Sequence, residues 1–388
     1  MSQINAVQLL DAAKSQRNNV LTLLEKLVKI ETPSFDPNAQ IEIKKVIDHE
    51  LKMVDYQTRW LSGAKYGGNI YARPNSRNKH AQTQLLIGHI DTVWPIGTLE
   101  KMPFQLNKNT VKGPGVFDMK GGVVQMLTVL RILKELDYSP SVLPLVFLNS
   151  DEEIGSRESS RNIRRLARIS SRSYVMEPAL GEDGALKTRR KGVGRFTVHV
   201  QGKAAHAGLD PTAGASAILE LSHVIQKLFA LNDHDKGISV NVGVVDGGVR
   251  PNVVAPVSTA TVDVRVLESE DIPKIENAIR SIESQTQGVL VTIDGRIGRP
   301  ALEKNERNDL LWSYAKDCAD TLGIELSEGT AGGGSDGSTT SQYTATLDGL
   351  GAVGDGAHAD HEFLYIDKSI ERIALLSMLI LAPILPGG

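Results

Sequence analysis

Three apolar runs, each closing on a histidine or an acid, set the pattern of the chain: QLLIGHID (84–91), VLPLVFLNSDEE (142–153) and SRSYVMEP (171–178). Runs of this length without polar alternation predict strands buried on both faces. Between the first two, KGGVVQMLTVLRILKEL predicts a strongly apolar helix. Upstream, Val7, Leu10, Val20, Leu24, Leu27 and Val28 recur at helical spacing and predict one helix over residues 6–29. A second helix is predicted over 40–54, after the break at Thr32-Pro33. In open α/β sheets, ligand sites lie at the carboxyl ends of the strands. That rule groups His89, the pair Glu152-Glu153 and Glu177.

From Lys191 the texture changes. GRFTVHVQG alternates apolar and polar residues, as a half-exposed antiparallel strand does. PTAGASAILELSHVIQKLFAL predicts a helix, GISVNVGVVDGG and APVSTATVDVRVL predict strands, SEDIPKIENAIRSIES a helix and VLVTIDG a strand. This β-α-β-β-α-β order is the split-βαβ, ferredoxin-like arrangement. It predicts an α+β domain over residues 191–300, inserted into an α/β domain made of 1–190 and 301–388. A helix over 306–322, the glycine-rich AGGGSDGSTT, a strand over 345–353 and a last apolar helix complete the chain.

The length of 388 residues suits two domains or one α/β unit with an insertion. Net charge is -3 and the basic residues are dispersed, so no nucleic-acid partner is expected. The single cysteine, Cys318, excludes internal disulfides and thiolate zinc fingers, so any metal must be held by His, Asp and Glu. No apolar run reaches membrane length; IERIALLSMLILAPIL is preceded by charges and predicts a buried helix. The opening MSQINAVQLLDAAKSQ has no apolar core of a secretory leader, which makes a cytoplasmic location the expectation.

Taken singly, the candidate ligands are ordinary. His89 reads as a polar residue at a strand end, Asp118 as a helix N-cap before Lys120, and Glu177 and His358 as loop residues. Together they change the picture. Two imidazoles and three carboxylates suit a pair of zinc ions, one acid shared and one His and one acid for each ion. Within Glu152-Glu153, one carboxylate can bind metal while its neighbour takes a proton from water. Asp91, two residues past His89, can accept from the second imidazole nitrogen.

GHIDTV, GPGVFDMKGG, NSDEEIGS, YVMEP, GKAAHAG, RPNVVAP, AGGGSDGS and GAHADHE occur in the order found in the co-catalytic dizinc metallopeptidases. That family includes glutamate carboxypeptidase, aminoacylase, acetylornithine deacetylase and succinyl-diaminopimelate desuccinylase. The resemblance runs from Thr32 to the C-terminal helix and leans toward the folate-cleaving glutamate carboxypeptidases, on GPG before Asp118 and GRP at Arg299. It implies two Zn2+ per subunit, with Co2+ or Mn2+ fitting similar ligands. It implies that Asp118 bridges, His89 and Glu177 complete one site, and Glu153 and His358 the other. It implies that Glu152 is the general base and acid, that Asp91 orients His89, and that His206 enters the partner subunit's site and stabilises the oxyanion. The family spacing, with an acid four residues after the ligand, selects His358 over His361 because Glu362 stands there. Met119, where some relatives carry Asp or Asn, is a departure expected to be tolerated. The resemblance also implies a homodimer through residues 191–300.

Glu at position 177, in this family, goes with substrates that keep a free carboxylate. Arg265, Arg299 and Asn252 are the candidate donors for it, and the backbone around Gly333 can approach the substrate closely. AGGGSDGS lacks the Lys-Ser/Thr of a nucleotide loop. The expected substrate is a small peptide or an N-acyl amino acid. An acetylornithine or succinyl-diaminopimelate type of deacylase is the rival reading, and a non-catalytic metal scaffold a remote one.

Overall fold

The computed structural model describes residues 5–76 and 80–384. The first four residues of the segment read for a leader, and the last four of the 301–388 segment, lie outside the described residues. The chain forms two compact units: one holds the chain up to Thr188, Lys304–Ala331 and the chain from Ser335, the other Arg189–Glu303 with Gly332–Gly334.

The first unit is built on a six-stranded mixed sheet. Its strands are β1 (Tyr56–Leu61), β2 (Asn69–Pro74), β3 (Thr83–His89), β4 (Leu143–Asn149), β5 (Ser170–Val175) and β6 (Ala345–Leu347), ordered β1-β2-β4-β3-β5-β6. β4, β3, β5 and β6 run parallel, while β1 and β2 are antiparallel to their neighbours. Every residue of β3 is buried, as its unbroken apolar run requires. The three parallel strands β4, β3 and β5 end side by side, His89 opposite Asn149, which delivers all three apolar runs to one edge.

Helices cover the sheet. Gly121–Glu135 is buried along almost its whole length, and Ile366–Leu381 packs against it. Leu375, Leu376, Leu379 and Ile380 are fully buried, each contributing about 1.5–3 kcal/mol before the entropy of ordering is subtracted. The last helix is closed by a buried arginine: Arg172 donates to the carbonyls of Ala382 (2.7 Å) and Pro383 (2.8 Å).

Two expectations change. The helix expected over 6–29 is two, Ala6–Ser15 and Arg17–Val28, divided at Gln16. Gln16 is buried and donates to Glu135 (2.9 Å), so the chain turns there to keep both apolar stripes on the core. The strand expected over 345–353 stops at Leu347; Gly349, with φ 79°, turns the chain away. Periodicity also does not reveal a small sheet of Gln105–Leu106, Thr110–Lys112, Gly354–Asp355 and Phe363–Tyr365. Its strands are too short for a period to register.

Cys318 is buried in the helix Glu306–Leu322, and burial pushes its thiol up to about 11. It is a small core residue, not a reactive thiolate.

The second unit carries Gly192–Gln201, the helix Ala217–Phe229, Ser239–Gly247, Val257–Val266, the helix Ile272–Arg280 and Leu290–Arg299, in the β-α-β-β-α-β order. Its antiparallel sheet places Gly192–Gln201 between Val257–Val266 and Leu290–Arg299, with Ser239–Gly247 at an edge. Phe196, Val198, Val200, Leu221 and Val262 form its own core.

Candidate metal centre

The parallel strands bring the first candidate residues together by simple geometry. His89 is the last residue of β3, Glu152 and Glu153 lie three and four residues past β4, and Glu177 lies two past β5. The fourth arrives by a close approach. Gly122, at the start of the helix Gly121–Glu135, faces the carbonyl of Met176, and any side chain there would collide with it. The helix therefore sits directly on the end of β5, and the loop leading into it carries Asp118 over the strand ends. The Asp118–Met119 peptide bond is cis. Asp118 is not the helix N-cap: that position falls on Lys120, and the helix has no side-chain cap. Met119 is buried, with its thioether against Gly88 and the His89 amide, an apolar role that accounts for its difference from Asp or Asn.

The fifth arrives on the loop before Phe363–Tyr365. His358 adopts a left-handed backbone (φ 62°), and its Nε2 lies 3.0 Å from Glu153 and 3.5 Å from Asp118. His361 points elsewhere, toward Asp360. On the other side, His89 Nε2 lies 3.2 Å from Asp118 Oδ1 and 3.6 Å from Glu177. Each Asp118 oxygen thus faces a different imidazole, the geometry of a bridging carboxylate. Candidate ligand atoms of His89, Asp118 and Glu153, and likewise of His89, Glu152 and Glu177, lie within 4.8 Å of one another.

The electrostatics are those of crowded carboxylates paired with imidazoles. For His89, burial disfavours charge, but Asp118, Asp91 and Glu177 outweigh it and raise its affinity for a proton well above the usual imidazole range. His358 is raised to about 10 by Asp118 and Glu153. Burial and the Asp118 charge push Glu153 up to about 7. Asp118 itself is held far below the usual carboxylate range, burial being overcome by His358 and His89.

This donor set fits divalent cations. Oxygen and imidazole ligands suit zinc, cobalt or manganese. Glu153 Oε1 is buried with no hydrogen-bond partner, as a ligand atom awaiting a cation would be. A cation pair also offsets the repulsion among four neighbouring acids.

Asp91 contacts more than His89. It is fully buried and accepts from Ser34 Oγ (2.7 Å) and from the backbone N–H groups of Glu152 (3.3 Å) and Glu153 (3.2 Å). Its carbonyl faces His89 Nδ1 at 2.9 Å and its carboxylate lies 3.5 Å from the same nitrogen. One buried residue thus aims an imidazole and the paired glutamates. Asp336, unnoticed within AGGGSDGS, is also buried; it accepts from Asn149 Nδ2 (2.6 Å) and Ser156 Oγ and ties that loop to the end of β4.

A profile of peptidase family M20/M25/M40 matches residues 85–382, the stretch that carries every one of these candidate ligands. The chain belongs to this family. It is 31% identical to carboxypeptidase G2 of Pseudomonas sp. (strain RS-16), over 96% of this chain and 91% of that one. Among solved structures it is similar to the aminopeptidase PepT from Bacillus cereus, with a TM-score of 0.77 at 19% identity, covering 94% of this chain and 98% of that one. It is also similar to the M20 family metallo-carboxypeptidase Sso-CP2 from Sulfolobus solfataricus, with a TM-score of 0.73 at 15% identity, covering 94% and 99%. The protein is therefore an M20-type metallopeptidase. No helix among the described residues is long and apolar enough to cross a membrane.

The remaining site candidates lie in the second unit, in two separate groups. His206 is exposed, on the loop after Gly192–Gln201. Its Nδ1 accepts from the backbone N–H groups of Gly208 (3.1 Å) and Leu209 (3.2 Å), so in the neutral ring Nε2 is the nitrogen able to donate. Asn252 belongs with it: its carbonyl accepts from Ala207 N–H at 3.0 Å. Arg265, Arg299 and Gly333 gather at the other end of the sheet. Arg265 and Arg299 both pair with Val193, and Gly334 packs against Arg299. Arg265 is held by Asp263 through two hydrogen bonds (2.7 and 2.9 Å), so its fork is already half occupied. The Gly333 carbonyl accepts from Arg190 (3.0 Å).

Proposed function

We propose that this metallopeptidase is a glutamate carboxypeptidase-like amidohydrolase with two zinc ions. It would cleave the amide that joins an acyl group to an amino acid with a free α-carboxylate. The observation that carries this reading is Asp118, whose two oxygens face His89 and His358 separately, each imidazole paired with a further acid. The similarity to carboxypeptidase G2 over nearly the whole chain supports the carboxypeptidase branch.

When bound, the two cations would polarise the scissile carbonyl and make water acidic enough to attack near neutral pH. His89 and Glu177 would hold one, Glu153 and His358 the other, and Asp118 both. Glu152 takes the proton from the attacking water and returns it to the departing amine. His206 donates Nε2–H to the developing oxyanion. Arg265, Arg299 and the Gly333 backbone hold the leaving residue's carboxylate. Asn252 serves beside His206.

The second unit argues for a homodimer. From Val193, beside Arg265 and Arg299, to Gln201, before the His206 loop, a strand of this length spans about 27 Å. One substrate of amino-acid size cannot touch both ends, which supports a reading in which His206 and the arginines act on it from two chains. The exposed Val244 and Val245 on an edge strand, and Ile218 and Leu219 on a helix, are apolar side chains available to such a contact. Co-expression of Glu152→Gln with His206→Ala tests it. Each variant is inactive alone, and random pairing restores about a quarter of wild-type sites. No recovery would overturn His206 as the partner's contribution to the site.

The substrate reading is tested by turnover of an N-acyl-glutamate or pteroyl-glutamate amide beside acetylornithine and succinyl-diaminopimelate. A kcat/KM for the glutamate amide at least about 100-fold above both, near 2.7 kcal/mol in transition-state binding, supports it. Preference for a basic acylated amino acid would favour the deacylase reading.

A further inference from the structure

Glu362 is fully buried, yet its carboxylate accepts four hydrogen bonds. Oε2 accepts from the Trp94 indole N–H (2.9 Å) and the Gly115 amide (2.8 Å). Oε1 accepts from the amides of Phe117 (2.9 Å) and Asp118 (3.0 Å). Its own amide donates to the Ala359 carbonyl (3.0 Å), closing the turn that directly follows His358. Three loops thus meet on one carboxylate: the loop after His89 through Trp94, the loop that delivers Asp118, and the loop that delivers His358. A single buried carboxylate with four donors is a fixed hub, because every lone-pair direction is used and any slip leaves an N–H unpaired.

We infer that Glu362 is a positioning residue: it sets the distance between Asp118 and His358, and with it the affinity of the cation site made by Glu153 and His358. This rests on the paired-metal reading above. The other site shares Asp118 but takes the rest of its ligands from elements that Glu362 does not touch. His89 and Glu177 issue from β3 and β5, whose ladder and whose Asp91 contacts do not involve Glu362.

The substitution Glu362→Gln isolates the effect. A glutamine keeps the volume but replaces one acceptor oxygen with an N–H donor. Either way round, that donor faces two donors, so the Asp118 loop loses its anchor on one side. The test is a zinc titration of metal-stripped protein by calorimetry, with circular dichroism and thermal melting of the same samples. Wild type is expected to take up two ions in two steps. In Glu362→Gln one step should lose about 10–100-fold in affinity, while the other moves less than about 3-fold and the far-ultraviolet spectrum is unchanged. Equal weakening of both steps would reduce Glu362 to a general structural role and overturn the proposal. So would two unchanged steps. Should the Gln variant not fold, Trp94→Phe removes one donor and leaves the three amides in place. It should weaken the same step by a smaller factor, and no change there would equally overturn it. Fewer than two ions on wild type is a different result, because it overturns the paired-metal reading first and the proposal with it.

Discussion

Glu152→Gln lowers kcat by about 10³-fold while leaving KM and the two-ion stoichiometry intact. Glutamine retains the shape of the side chain and its hydrogen-bonding reach but has no basic oxygen, so proton transfer from the attacking water and to the leaving amine is lost in one change. The geometry makes this a sharp test, because distance alone does not separate base from ligand. A Glu152 oxygen lies within 4.8 Å of ligand atoms of His89 and Glu177. The two roles part in their signatures. Loss of a ligand weakens metal binding and shifts the dependence of rate on metal concentration; loss of a base lowers kcat at saturating metal and substrate. Steady-state kinetics beside metal analysis of the same preparation checks it. A variant that turns over at the wild-type rate, or that loses an ion, ends the assignment of Glu152 as base.

Removal of the metals is the second large effect. Chelation should lower activity by about 10³-fold or more, since several kcal/mol of charge stabilisation disappears from the transition state. Return of zinc should restore activity with a break at two equivalents per chain; a break at one would remove the second site. The same titration should stabilise the fold, because Asp118, Glu153 and Glu177 crowd around two imidazoles and a cation relieves their repulsion. Each ion at about 100 times its Kd adds about 2.7 kcal/mol. A thermal melt that does not move with zinc would mean that the acids are not its ligands.

Much of the architecture was legible in the chain itself. Buried parallel strands demand unbroken apolar runs, so QLLIGHID, VLPLVFLN and SRSYV announced the centre of the sheet, and the rule of strand ends announced His89, Glu152, Glu153 and Glu177. Alternating strands separated by amphipathic helices announced the second unit. The hairpin Tyr56–Leu61 and Asn69–Pro74 was not read, because its polar, partly exposed strands lack a clean period. The break at Gln16 was hidden because both halves keep helical spacing.

Sequence by itself determined which residue types were available for chemistry and, by their order, the family to which they belong. It could not show that Asp118 faces two imidazoles at once, since that depends on a helix start seated on the backbone of Met176, through a glycine at 122. Nor could it show that Asp91 and Glu362 each tie several loops together, because hydrogen bonds between loops separated by 60 to about 250 positions leave no local pattern. And it grouped Arg265, Arg299 and Asn252 as one clamp, whereas the tertiary structure divides them between the two ends of one sheet. The physical reason is common to all three: strand and helix periods are local and are written in neighbouring residues, while a site is made by contacts distant along the chain, which only the packed fold specifies.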